Sequence, residues 1–256
     1  MMKIMLRKRS AQLLLLGALT LAIGGVTFST PASGAPVVSG PMANRAVKGL
    51  IRADLIRAEI VTFAGDQVGD NWVYRGVVRK VRGRQLTLAE RDGSVIRIKL
   101  SSATQINIDY RTVTAKRVRP GMRATVMVAG NAAASWLYVA RRSPDRSVPK
   151  IRALLLNGFM RAEVVSWGGG AEFETRADTG VIASVDSNST SLVLQEDDGT
   201  SVDMQLGDAS DVWLNGLALS TGDLVAGMKA TTIGSGDGVI SQIWAQDRKK
   251  SSGGKT

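Results

Sequence analysis

Residues 86–100, LTLAERDGSVIRIKL, return 106 positions later as residues 192–206, LVLQEDDGTSVDMQL. Each version sets two runs of alternating apolar residues on either side of an Asp-Gly pair, at 92–93 and at 198–199. Alternation with a period of two is typical of a strand with one buried face, and Asp-Gly favours a tight hairpin turn. The stretch therefore predicts the same β-hairpin twice in one chain.

The repeat extends on both sides of this hairpin. Three further pairs of segments match, two at an offset of 104 and one at 106: RAEIVTF (57–63) with RAEVVSW (161–167), RGVVRKV (75–81) with TGVIASV (179–185), and RPGMRAT (119–125) with VAGMKAT (225–231). A repeat of this size indicates a duplicated structural unit. We predict two modules, at 47–142 and 151–248, joined by a polar, proline-bearing linker at 143–150.

Within each copy, short runs rich in Val and Ile are bounded by turn residues, as in half-buried strands. In the first copy the predicted strands are AEIVTF, YRGVVRKV, QLTLAE, VIRIKL, ATVMVA and WLYVAR. Because closure removes the unpaired edges of a small all-β unit, we predict two tandem OB-like β-barrels of five to six strands each. The strand count also fits a split-sheet sandwich. The segments 47–56 and 151–159 are predicted as lead-in elements, helical or extended, that pack on each barrel.

The N-terminus has the three regions of a secretory signal peptide, predicted at 1–32. Four of the first ten residues are basic, an apolar run follows from Ala11 to about Phe28, and the run ends in the small residues of STPASGA. Cleavage after Ala32, or alternatively after Ala35, predicts export to the periplasm, the cell envelope or the medium. An uncleaved membrane anchor is the alternative, since the run approaches the length that spans a bilayer. Residues 33–46 and 249–256 are predicted to be a flexible linker and a disordered tail.

A pattern of turn glycines and core apolar residues runs through both copies. In the first it falls on Gly76-Val77-Val78, Leu86-Thr87-Leu88, Asp92-Gly93, Thr104-Gln105-Ile106 and Gly121-Met122. In the second it falls on Gly180-Val181-Ile182, Leu192-Val193-Leu194, Asp198-Gly199, Asp211-Val212-Trp213 and Gly227-Met228. This pattern resembles short exported bacterial modules of a domain-of-unknown-function family. The resemblance implies small β-barrels of the cell envelope and supplies no catalytic residues.

The net charge of +11 hides a difference between the copies. Residues 45–152 hold 22 Lys and Arg against 8 Asp and Glu, whereas residues 153–256 hold 7 against 14. Basic residues alternate along the predicted strands of the first copy, which places them on one outer face. They predict binding of a polyanion such as an acidic wall polymer, anionic lipid or nucleic acid, through Arg75, Arg79, Lys80, Arg82, Arg84, Arg97, Lys99, Arg117, Arg119 and Arg123.

Two other interpretations of the basic residues stay open. They are a solvated surface that aids solubility, or they dock the basic copy on the acidic one. Nucleic acid is the disfavoured ligand, because aromatic residues are few and export removes the chain from most nucleic acid. The aromatic candidates for base stacking are Trp72, Tyr74, Tyr110, Trp136 and Tyr138.

Catalytic and metal chemistry is not indicated by the sequence. The chain has no cysteine and no histidine, the side chains most used for disulfides, metals and general base work. DSNSTSLVLQED from Asp186 resembles a calcium loop but has Ser191 where that loop needs glycine, so a hairpin turn is predicted. GSGDG (234–238) is also predicted as a hairpin turn, and EDD (196–198) as a solvated turn.

The copies are predicted to share framework residues and no repeated polar cluster. We therefore predict no catalytic, cofactor-binding or metal-binding residues. The predicted function is a non-enzymatic exported interaction or structural module of the cell envelope, whose partner is an envelope protein or an acidic polymer. A hydrolase with a carboxylate pair brought together only by the fold is the alternative.

Overall fold

The computed structural model describes most of the chain between residues 50 and 247. The described ranges are 50–51, 54–64, 67–141, 151–152, 155, 159–186 and 188–247. The predicted signal peptide at 1–32, the linkers at 33–46 and 143–150, and the tail at 249–256 lie outside these ranges. Within them, no helix has the length and apolar character needed to cross a membrane.

The first copy contributes eight strands, most of which coincide with the predicted runs. They are β1 (Leu55–Ala64), β2 (Gln67–Arg82), β3 (Gln85–Ala89), β4 (Val95–Lys99), β5 (Gln105–Ile108), β6 (Arg111–Thr112), β7 (Arg123–Ala129) and β8 (Ala134–Ala140). β5 and β6 were not predicted, because strands of four and two residues are too short to show an alternating pattern.

The second copy contributes seven strands. They are β9 (Arg161–Gly168), β10 (Ala171–Val185), β11 (Ser191–Glu196), β12 (Ser201–Leu214), β13 (Leu217–Leu219), β14 (Lys229–Ser235) and β15 (Val239–Gln246). All fifteen strands belong to one mixed sheet. The all-β prediction is therefore confirmed.

The strands of the second copy pair in a closed circuit. β10 pairs with β11, β11 with β12, β12 with β15, β15 with β14, and β14 pairs again with β10. Only the β12–β15 pairing is parallel. Each of these five strands therefore has a neighbour on both sides, and β13 adds to β12 outside the circuit.

The first copy repeats this order with one interruption. Its strands pair in the sequence β4, β3, β2, β7, β8 and β5, and again the last pairing, β5 with β8, is parallel. Residues 100–104 separate β4 from β5, whereas the single strand β12 covers both places in the second copy. The two halves thus share one order of strand pairing.

The halves are joined by an antiparallel ladder between β1 and β9. Glu59 pairs with Glu163, its own equivalent at the offset of 104, and Ile60 pairs with Ala162. The ladder is therefore symmetric about the two glutamates, as in an interface between identical subunits. The pKa of Glu59 is raised, first by burial and then by the negative charges of Glu163 and Asp70.

Three apolar clusters account for the packing. One lies within the first copy around Leu86, Leu88 and Leu137, and one within the second around Ile182, Leu194 and Ile243. The third is shared by the halves, and its members include Ile51, Ile60, Val73, Trp136, Ile151, Leu155 and Val164. Both lead-in segments thus contribute buried apolar side chains where the two copies meet.

The turn glycines before β7 and β14 need a backbone that other residues resist. Gly121 has φ of 85° and Gly227 has φ of 90°, both in the left-handed region. Met122 packs against the first core, and Met228 is a buried member of the second. These two positions are therefore equivalent parts of the framework.

Candidate functional site

A partly buried polar cluster lies at the turn of the β3–β4 hairpin. Arg57 on β1 donates from Nη1 to Glu90 Oε2 at 2.9 Å and to Asp92 Oδ2 at 2.6 Å. The side chain of Glu90 is fully buried and that of Asp92 is 6% exposed. Arg57 also reaches Glu172 of the second copy at 3.4 Å. We call Arg57, Glu90 and Asp92 the first clamp, because they tie the hairpin turn to β1.

The second copy contains the same cluster at the equivalent positions. Arg161 on β9 donates from Nη2 to Glu196 Oε2 at 2.5 Å and to Asp198 Oδ2 at 2.9 Å. The side chain of Glu196 is fully buried. Arg161, Glu196 and Asp198 form the second clamp.

The local backbone explains why the carboxylates of the first clamp converge. The amide of Glu90 donates to the Ser94 carbonyl at 2.8 Å, and the amide of Gly93 donates to the Glu90 carbonyl at 3.2 Å. Asp92 accepts the Ser94 amide at 2.8 Å, which fixes its side chain over the turn. Glu196, Asp198, Gly199 and Thr200 make the same set of contacts in the second copy.

One glycine in each copy allows the long strand that contains it, β2 or β10, to approach the hairpin of that copy, β3–β4 or β11–β12. A β-carbon on Gly76 would lie 2.4 Å from the carbonyl oxygen of Ala89, directly before Glu90. A β-carbon on Gly180 would lie 2.2 Å from the carbonyl oxygen of Gln195, directly before Glu196. Both distances are far inside van der Waals contact, so only glycine fits at either position.

The pKa values of the two carboxyls in the first clamp are shifted in opposite directions. Burial raises the pKa of Glu90 to about 7, although the hydrogen bond from Arg57 acts in the other direction. Burial would also raise the pKa of Asp92, but hydrogen bonds from Arg57 and Ser94 outweigh it and lower that pKa to about 2. In the second clamp, burial raises the pKa of Glu196 to about 7.

Carboxyl pairs with separated pKa values are used in acid–base catalysis, but the geometry favours a structural role for the clamps. Each one joins a strand to a hairpin turn, and both copies contain it with the same connectivity. In both, one glutamate oxygen, Oε1 of Glu90 and of Glu196, is buried without a hydrogen-bond partner among the described residues.

The clamps correct two expectations. The prediction that the copies share no repeated polar cluster is wrong. The prediction that 196–198 is a solvated turn is confirmed for Asp197 and Asp198 but wrong for Glu196, which ends β11 and is only 2% exposed. The signal is visible in the sequence: an arginine before Ala-Glu, and a glutamate two residues before Asp-Gly, both recur at the repeat offsets. The contact could not be predicted from this signal, because Arg57 and Glu90 are 33 positions apart and form no local motif.

Four of the predicted basic residues lie together on the outer face of β2, β3 and β4. Lys80 pairs with Thr87, which pairs with Arg97, and this line crosses all three strands. Directly paired residues on neighbouring strands share a face of the sheet. A second line, Arg82, Gln85 and Lys99, crosses the same strands. The side chains of Lys80, Arg82, Arg97 and Lys99 are exposed, and we call these four residues the basic rows.

The other predicted basic residues are placed elsewhere. Arg79 occupies the irregularity in the β2–β3 ladder, and Arg84 lies in the turn that follows β2. Arg117 and Arg119 precede β7, where Nη1 of Arg119 donates to the carbonyl of Lys116. Arg75 and Arg123 line a cavity between β2 and β7, away from the rows. The structure thus divides one predicted face into separate groups.

The second copy has no counterpart of the basic rows. The line equivalent to Lys80, Thr87 and Arg97 consists of Ser184, Val193 and Asp203. The equivalent of Lys99 is Gln205, which pairs with Ser191. Four positive charges on one copy therefore correspond to neutral or acidic residues on the other.

The five aromatic candidates for base stacking, all within the described residues, do not form an exposed platform. Trp136 and Tyr138 are 6% and 4% exposed and belong to the shared cluster. Trp72 and Tyr74 stack on each other at 6.2 Å and pack against the first core. Of the five candidates for base stacking, only Tyr110 is largely exposed.

The loop at Asp186 is a hairpin turn, as predicted. Its carboxylate accepts the backbone amides of Asn188, Thr190 and Ser191. These hydrogen bonds, first the one from Ser191, lower the pKa of Asp186. Among the described residues, no group of three or more acidic side chains has an arrangement that could hold a metal ion.

No protein-family model matches the sequence. A search among curated proteins likewise finds no significant relative.

Proposed function

We propose that the protein is a non-enzymatic, exported interaction module of two tandem OB-like barrels, and that its first copy binds an acidic polymer through the basic rows. The observation that carries this proposal is the position of Lys80, Arg82, Arg97 and Lys99 on one exposed face. The second copy has the same strand order without these charges.

The pairing order supports the barrel part of the proposal. Five strands pair in the order first, second, third, fifth, fourth and first again, with a parallel pairing between the third and the fifth. This is the order of a small Greek-key barrel of the OB type. The N-terminal segment with its signal-peptide pattern supports export to the cell envelope.

The spacing of the rows suits a chain of repeated negative charges. Neighbouring strands are about 4.8 Å apart and residues two apart on a strand are about 7 Å apart, so the charges mark a rectangle of about 7 by 10 Å. This is within about one Debye length at physiological salt, so their fields add. Polar Thr87 and Gln85 lie between the charges, whereas an anchor that enters a bilayer needs apolar side chains.

The proposal is tested by titrating the purified protein with polyaspartate and with a teichoic-type polyphosphate polymer at rising salt. We expect affinity to fall steeply with salt, and the variant with all four row residues changed to Gln to lose at least ten-fold in affinity. The matched control changes Arg248, Lys249, Lys250 and Lys255 to Gln, which removes the same charge. Equal loss in both variants would contradict a site at the rows, and tighter binding to anionic vesicles than to either polymer would contradict the polymer assignment.

A further inference from the structure

A cavity of about 420 Å³ opens beside the first clamp, where β2, β7 and the β3–β4 turn meet. Three of its lining residues are arginines, Arg75, Arg91 and Arg123, and two are carboxylates, Asp54 and Glu90. None of the four basic-row residues lines it. The cavity is therefore a separate feature from the proposed polymer-binding face.

The β-ladder places two of the arginines on the same face. Arg75 pairs with Thr125 and Arg123 pairs with Val77, so the two arginines are diagonal neighbours across β2 and β7. Like charges at such positions repel each other. Within the described residues, neither Arg91 nor Arg123 makes an ion pair. An anion in the cavity would supply the counter-charge that Arg91 and Arg123 lack among the described carboxylates.

Arg91 is held in place from the second copy. Its guanidinium lies over the ring of Trp167, 5.5 Å from the ring centroid. The residue before it, Glu90, is fixed by Arg57 in the first clamp. These two contacts together hold the Arg91 guanidinium at the cavity, whereas the hairpin turn alone would leave it free to move.

The second copy shows which residues are additions to the framework. Glu196 is buried like Glu90 and also has an unpartnered Oε1, so this feature belongs to both clamps and does not by itself indicate a ligand. The arginines are different, since Arg75, Arg91 and Arg123 correspond to Thr179, Asp197 and Lys229. Only the first copy therefore concentrates three guanidinium groups at this place.

Three guanidinium groups supply more N–H donors than a carboxylate can accept in its plane, whereas a tetrahedral oxyanion offers acceptors in several directions. Hydrogen bonds between guanidinium and phosphate are short and strong. Burial raises the pKa of Glu90 to about 7, so this carboxyl repels an anion near neutral pH less than an exposed glutamate does.

We propose that this cavity binds one tetrahedral dianionic group, a phosphate or sulfate, free or at the end of a larger ligand, through Arg75, Arg91 and Arg123. The site is a cavity, whereas the basic rows lie on an exposed face of the sheet. It does not depend on polymer binding, and either proposal can fail without the other.

The test is calorimetric titration of the full-length protein with inorganic phosphate, sulfate, a simple phosphomonoester and acetate. We expect at least one tetrahedral dianion to bind with a dissociation constant in the micromolar to low millimolar range, and acetate to bind at least ten-fold more weakly. Tighter binding of the monoester than of inorganic phosphate identifies a terminal ester group as the ligand, and the reverse identifies the free ion. Absence of binding by all three dianions, or acetate binding as tightly, overturns the proposal.

Two substitutions locate the site. Arg123→Gln and Arg91→Gln should each weaken binding about ten-fold, while Arg119→Gln, outside the cavity, and Lys229→Gln, the equivalent of Arg123 in the second copy, should leave it unchanged. Equal weakening by Arg119→Gln would show a general charge effect and contradict the assignment. Retention of polymer binding by Arg123→Gln is the further expected result, because the rows remain intact.

Discussion

The two copies keep the same clamp but differ on the neighbouring strand, where Tyr74 pairs with Arg57 and Asp178 pairs with Arg161. At the offset of 104, Trp72 and Tyr74 of the first copy correspond to Arg176 and Asp178 of the second. The first pair stacks at 6.2 Å. The second pair is an ion pair, with Arg176 Nε 2.9 Å from Asp178 Oδ2. An aromatic stack and an ion pair thus occupy equivalent positions on the long strand of each copy.

This difference separates the residues that the fold requires from those that can vary. The middle of this strand accepts either arrangement, since the aromatic pair packs on the first core and the charged pair neutralises itself. Arg57 and Arg161, with the carboxylates that they bind, are retained although the charge of their surroundings has reversed. The clamp and its glycine are therefore the framework, and the surface charges are free to specialise.

The largest effect is expected from filling the space at the two close-approach glycines. Gly76→Ala and Gly180→Ala place a methyl group against a backbone carbonyl that cannot move alone, so each should lower the free energy of unfolding by at least about 3 kcal/mol. Urea denaturation measures the change. Gly222→Ala is the control, since the nearest atom to its β-carbon would be Ser220 Oγ at 3.6 Å. A loss below about 1 kcal/mol at either strand glycine would contradict the close approach.

Removing the clamp arginines should have the next largest effect. Arg57→Gln and Arg161→Gln each leave a buried glutamate without its cation, which should cost about 3 kcal/mol of stability. The Arg57 variant should lose slightly more, because Arg57 also contacts Glu172. Thermal and urea unfolding measure both, with exposed Arg84→Gln as the control. Equal stability of the wild-type protein and both variants would show that the clamps do not stabilise the fold.

The clamp glutamates predict an unusual pH dependence. The folded protein binds a proton at Glu90 and Glu196 with a pKa of about 7, against the ordinary value of 4.5 in the unfolded chain. Between these values the folded state binds more protons, so the free energy of unfolding should fall as pH rises from about 4.5 to 7. Asp92 acts oppositely, and its contribution is lost as pH falls from 3.8 towards about 2.

Urea denaturation across this pH range tests the assignment. The double variant Glu90→Gln, Glu196→Gln should lose most of the decrease between pH 4.5 and 7. Glu174→Gln, at an exposed position, is the control. Stability that rises through this window in the wild-type protein, or an unchanged slope in the double variant, would contradict the assignment.

The sequence predicted those parts of the fold that depend on local patterns. The Asp-Gly hairpin turns and the glycines at 121 and 227 follow from alternation and from backbone angles that only glycine adopts readily. The linking of the copies through β1 and β9 could not be predicted, because RAEIVTF has the same alternating pattern whether its edge is free or paired. The position of the lead-in residues Ile51 and Ile151 in the shared cluster depends on that pairing.

The candidate sites were predicted only in part. Alternation correctly indicated that Arg97 and Lys99 share a face, since period two is a local property of a strand. It could not separate the basic rows from the cavity arginines, because Arg75 and Arg123 meet only through the β2–β7 pairing. Arg91 was not among the predicted residues, since a charged residue in a hairpin turn is ordinarily solvated.

The most direct test of the account moves the basic rows from one copy to the other. Starting from the variant with all four row residues changed to Gln, the substitutions Ser184→Lys, Asp203→Arg and Gln205→Lys restore the original net charge at exposed, equivalent positions of the second copy. Salt-dependent titration with the acidic polymer is the measurement, and urea denaturation checks that stability stays within about 1 kcal/mol of the wild type. We predict that the transplanted rows recover binding to within about three-fold of the original affinity. A folded transplant that binds no better than the neutralised variant would contradict the claim that the copies share one framework and differ in what their surfaces bind.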